Sequence, residues 1–132
     1  MATHAQLEVM ARHFIIAALW ADSPENTHPR ATKQAQRDAL IICTQFAESA
    51  GTLLDDAANR PGYGAHPDCG TLHAGYAAAG HDLWLTSQGH GAGFWDRDAL
   101  EGQGLGDRLS ALCRHARYCV HFYRGWLYFS GV

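Results

Sequence analysis

The densest run of reactive side chains is Gly80-His81-Asp82-Leu83-Trp84-Leu85-Thr86-Ser87-Gln88-Gly89-His90-Gly91-Ala92-Gly93-Phe94-Trp95-Asp96-Arg97. Imidazole is the side chain whose ordinary pKa lies near neutrality, and a neighbouring carboxylate can orient it. His81, Asp82, His90 and Asp96 therefore form a candidate acid–base set, with His90 moving the proton and Asp82 or Asp96 holding the ring. A structural reading carries more weight. Gly89, Gly91 and Gly93 suit a tight turn, and His81 and Asp82, as neighbours on a strand, would point to opposite faces and could not pair simply.

Metal-ligand residue types occur in two other places, His66-Pro67-Asp68-Cys69 through His73 and Cys113 through Cys119-Val120-His121. Neither has a zinc-type CxxC or HxxxH spacing. On a helix Cys113 and His115 diverge by about 200°, so Cys113 reads as core. Cys69 and His73 could share a helix face, and Cys119 and His121 a strand face. GxSxG, HExxH and the P-loop are absent. The sequence implies no cofactor and no metal site, and it favours binding over catalysis.

Two long helices must position these groups. Leu7, Met10, Ala11, Phe14, Ile15, Ala18 and Leu19 form one helical stripe, opened by a Thr3/Gln6 capping box. A second stripe, Ala35 through Ala57, predicts a helix over 32–58, weakened by roughly 1 kcal/mol at Gly51 and stopped by Asn59-Arg60-Pro61-Gly62. A short helix is expected over 71–79 with Gly80 closing it. Residues 82–86 and 93–97 read as strands of a first hairpin around loop 87–92. Leu105, Leu109, Leu112, Cys113 and Ala116 mark another short helix. Residues 119–123 and 126–130 read as a second hairpin turning at Arg124-Gly125. The fold class expected is α+β: an antiparallel helix pair packed on a small antiparallel sheet of two hairpins, with two further short helices.

A chain of 132 residues, 47% hydrophobic and 17% charged, suits a single domain with its own core, residues 1–132. No stretch approaches the ~20 apolar residues of a membrane span. Without a signal-peptide pattern, a reducing cytoplasm is expected, with the four cysteines as free thiols. The net charge of −3 conceals an asymmetry: residues 1–103 hold 12 acidic and 6 basic side chains, whereas residues 104–132 hold Asp107 against Arg108, Arg114, Arg117 and Arg124. This distribution argues against nucleic acid, which needs a strongly basic face. The aromatic C-terminal strands beside these arginines suit a protein partner better.

The run at 80–97 resembles GHDFWLTRNGHGAGFWDR, a motif of small proteins from bacteriophages, prophages and mobile elements. Ala18 through Ser23, Arg37 through Phe46, and Gly104 through Leu109 are similar to the corresponding stretches of that family. Ser87-Gln88 stands where the family has Arg-Asn, and Tyr123-Arg124-Gly125-Trp126 replaces an acidic turn. The resemblance implies provenance: a phage-borne accessory protein in a bacterial host. Such proteins often act stoichiometrically, so it implies a counter-defence inhibitor such as an anti-CRISPR, bound to a host protein complex. The expected contacts are Gln88, His90, Trp95 and Arg97 in the loop, with Arg114, Arg117 and Arg124 on the C-terminal basic surface.

Overall fold

A computed structural model describes residues 1–132. Helix α1 spans His4–Asp22. Its capping box forms as the sequence predicts: the Gln6 amide donates to Thr3 Oγ1 (3.2 Å) and the Thr3 amide to Gln6 Oε1 (2.8 Å). The second stripe makes two helices rather than one, α2 (Lys33–Ala50) and α3 (Thr52–Ala58). The break falls at Gly51, whose φ of 56° and ψ of −130° a residue without Cβ adopts at little cost. Thr32 caps α2 by accepting the Ala35 amide at 2.9 Å.

The first expected hairpin is absent. Residues Ala74–Ser87 form helix α4, and Phe94–Asp96 is a single 3-10 turn, followed by others at Asp98–Leu100 and Gly102–Gly104. The β-like run Leu83-Trp84-Leu85 continues helix α4, which is buried on nearly every side. A helix enclosed all round has no polar stripe to reveal its period.

Gly80, expected to close a short helix, lies in the middle of α4. A Cβ there would stand 2.2 Å from the Met10 carbonyl oxygen, and one at Gly75 would stand 2.0 Å from that of Ala58. These glycines let α4 lie directly on the backbones of α1 and α3. Helices α1 and α4 run the same way, with Met10 against Gly80, His13 against His81 and Asp22 against Trp84.

Helix α5 (Leu105–Ala111) is shorter than its stripe, which continues through turns that still bury Cys113. The C-terminal hairpin forms as expected from β2 (Cys119–Tyr123) and β3 (Trp126–Ser130). The sheet is mixed rather than antiparallel. A short strand β1 (Arg30–Ala31), for which the sequence shows no strand pattern, pairs parallel to β3, giving the order β1-β3-β2. Leu127 and Phe129 turn inward. Phe14 sits at the centre of the core with its ring edge-on to Trp84 and Tyr118 and tilted against Phe129. No helix is long and apolar enough to cross a membrane.

Candidate functional site

Because successive residues on a helix differ by about 100°, α4 sends His81 and Asp82 in different directions. His81 faces α1, where its Nε2 lies 2.9 Å from His13 Nδ1. Asp82, only 1% exposed, faces Tyr63 and Arg97. Arg97 donates to Asp82 Oδ1 from both Nη2 (2.7 Å) and Nε (2.9 Å), and Tyr63 donates to Oδ2 at 2.6 Å. A buried carboxylate needs such partners. The 3-10 turn after Gly93 brings the guanidinium to it, and the Phe94 amide is held by Thr86 Oγ1 at 3.1 Å.

Asp22, at the end of α1, makes the second cluster. Its Oδ2 accepts from Trp84 Nε1 (2.6 Å) and from His90 Nε2 (3.1 Å). His90 is thus committed to fastening the segment after α4 onto α1. It lies apart from the expected partners Asp82 and Asp96, which instead line a cleft with His81 and Arg97.

This cleft, of about 630 Å³, opens between α1, the loop around Tyr63 and Cys69, α4 and the 96–99 turns. Its wall on α1 carries Ile16 and Trp20, the latter 82% exposed. Asp68, Asp96 and Asp98 stand exposed around it. Arg97 is the sole Lys or Arg among the lining residues, and Asp82 already holds it.

Proton affinities follow from these surroundings. Burial, then the neighbouring His13, lowers the His81 pKa. Burial, then the Arg12 charge, lowers that of His13. The two facing nitrogens share one proton between neutral rings, with either ring able to be the donor. Burial and the Asp82 charge push Tyr63 well above the ordinary phenol value, so it remains a donor. The same two causes, in the same order, raise the Cys69 thiol, which leaves it a poor nucleophile. The Asp82 hydrogen bonds raise Arg97 still further. Nowhere do three His, Cys, Asp or Glu side chains converge on a point that could hold a metal ion.

The chain matches no protein-family model, and no curated protein or solved structure is significantly similar to it.

The remaining expected contact residues are dispersed. Gln88 follows the end of α4, and its Nε2 donates to the Tyr118 carbonyl at 3.1 Å, tying α4 to the start of β2. Trp95 is 49% exposed. Arg114 and Arg117 are exposed on the connection between α5 and β2, while Arg124 lies in the hairpin turn with its guanidinium 5.2 Å from the centre of the Tyr123 ring.

Sequence reasoning missed Tyr63, His13, Asp22 and Trp20. The spacing of His13 beside Met10 and Phe14 places it at the edge of a buried stripe, a signal that was present. Asp22 reads as a helix terminator. Tyr63 sits in a glycine-rich loop with no periodicity to reveal which way it points.

Proposed function

We propose that the protein acts by stoichiometric protein binding, as a counter-defence inhibitor such as an anti-CRISPR carried by a phage or other mobile element. The open cleft beside Trp20 is its main contact surface. One observation carries this reading. The polar side chains of the 81–97 run are consumed by intramolecular bonds, the buried Asp82 by Arg97 and Tyr63 and the half-buried His90 by Asp22. The run therefore works as a brace, and what it braces is an open concavity with an exposed tryptophan. Exposed aromatics beside a pocket are the usual anchors of protein recognition. The carboxylates at the rim favour a basic, partly apolar segment of a host effector complex. The family resemblance supports the setting in a bacterial host.

The test is capture from a host lysate containing active defence systems, using the tagged protein, Trp20→Ala, and the triple variant Arg114→Ala, Arg117→Ala, Arg124→Ala. Stoichiometric capture lost in Trp20→Ala supports the cleft. Capture lost only in the arginine variant moves the contact to the C-terminal surface. A bait without any partner contradicts the binding reading.

Of the acid–base set His81, Asp82, His90 and Asp96, only His81 keeps a feature that favours catalysis, its imidazole in the cleft with His13 behind it and a lowered pKa. In that case His81 is the base, Asp82 and Arg97 position α4, and His13→Gln lowers turnover by raising the charge stored on His81. A pH–rate profile unmoved by His13→Gln would exclude His81 as a base tuned by His13.

A further inference from the structure

The alternating exposure of β2 and β3 creates an outward sheet face well away from the cleft residues in sequence. Cys119, His121 and Tyr123 project from β2 on the same side as Trp126, Tyr128 and Ser130 from β3. Residues two apart on a strand share a face. The ladder pairs Cys119 with Ser130 and His121 with Tyr128, so His121 and Ser130 are diagonal neighbours within side-chain reach.

Three donor atoms meet there. Cys119 Sγ lies 3.4 Å from His121 Nε2 and 3.0 Å from Ser130 Oγ, and His121 Nε2 lies 2.7 Å from Ser130 Oγ. All three belong to hydrogen-bonded strands, so their spacing is preorganised. Cys119 is exposed, whereas Cys43, Cys69 and Cys113 are buried.

We propose that Cys119 and His121 bind a soft divalent cation of the zinc class on this face. Zinc sits about 2.3 Å from thiolate sulfur and about 2.0–2.1 Å from imidazole nitrogen. Donors 3.4 Å apart then subtend about 103° at the ion, near the tetrahedral value. A sulfur–nitrogen pair selects zinc, cobalt and copper over magnesium and calcium, which prefer oxygen. Solvent completes the coordination, with the Ser130 hydroxyl beside both donors. Two protein ligands leave positions open, in contrast to a closed structural site with four. Binding takes Cys119 as its thiolate and releases a proton.

The probe is cobalt(II) alone, added to the reduced, metal-free full-length protein and followed by thiolate-to-cobalt charge-transfer absorption, with zinc then added as competitor. The expected result is one thiolate-bound cobalt per chain, displaced by zinc, abolished in Cys119→Ser and weakened by about tenfold or more in His121→Ala. Both side chains are exposed, so circular dichroism should show both variants folded. Absence of a charge-transfer band at millimolar cobalt overturns the site. So does a band that survives in Cys119→Ser, which would place the thiolate at another cysteine, or undiminished affinity in His121→Ala.

Discussion

Replacing Arg97 by alanine tests whether the 81–97 run is a brace. The substitution removes both guanidinium donors from Asp82 and leaves that buried carboxylate with Tyr63 alone. Breaking a fully buried pair by removing one partner costs about 3–5 kcal/mol. Arg97 keeps 37% of its side chain exposed, so water replaces part of what is lost, and about 2–4 kcal/mol is expected. A domain of this kind is stable by about 5–15 kcal/mol, so Arg97→Ala still folds. With a urea slope of about 2 kcal/mol per molar, the unfolding midpoint falls by about 1–2 M at unchanged slope.

The double variant Asp82→Leu, Arg97→Ala carries no unpaired charge and should be less destabilised than the sum of the two single changes, by about 1–3 kcal/mol. Urea unfolding of the four proteins at pH 7.5, followed by tryptophan fluorescence, provides all the terms. An Arg97→Ala unfolding free energy within about 0.5 kcal/mol of the unmodified protein, or strict additivity, would refute the brace.

Gly80→Ala forces a Cβ against the Met10 carbonyl and should cost at least about 1–3 kcal/mol by overpacking. Gly91→Ala meets open space and should stay within about 0.5 kcal/mol, both read by thermal melting. The lowered His13 and His81 pKa values predict acid sensitivity. Above about pH 6.5 both states are neutral at these rings, whereas below it the unfolded chain takes up protons that the folded pair resists. Stability should therefore fall as pH drops from 6.5 towards the lower folded values, and His13→Gln with His81→Gln should flatten that fall in melting curves. Trp20→Ala should leave the melting temperature nearly unchanged while weakening partner binding by about 2 kcal/mol, roughly thirtyfold, measured by titration calorimetry. In the reduced native protein one thiol, Cys119, should react rapidly with a chromogenic disulfide, and the other three only after unfolding. The burial-raised thiol of Cys113, at about 12, and that of Cys43, higher still, set this contrast.

The parts legible from sequence were those where one side of an element is wet. The stripe of α1, its Thr3 cap and the C-terminal hairpin all show periodicity because polar residues alternate with buried ones. Helix α4 has no such contrast. Its Ala77, Gly80 and Trp84 are buried along with Asp82, and Leu83-Trp84-Leu85 mimics a strand. That error carried the site with it: a hairpin separates His81 from Asp82 across a sheet, while the helix sends one to His13 and the other to Arg97. The residue types of the site were recognised, but three of its contacts come from Tyr63, His13 and Asp22. Those are tertiary pairings that local spacing does not encode.

The two-residue strand β1 sets an order on assembly. Arg30 and Ala31 pair with Trp126 and Leu127, and Thr32, the cap of α2, donates from both its amide and its hydroxyl to the Leu127 carbonyl. The partner of this segment thus lies far downstream in the chain. The start of α2 is completed only when the β2–β3 hairpin docks on it, a pairing of residues 95 apart in sequence. Such long-range closure slows folding. Leu127 and Phe129 close over the helical layer around Phe14, so a chain that lacks the hairpin would expose that apolar surface to chaperones and proteases.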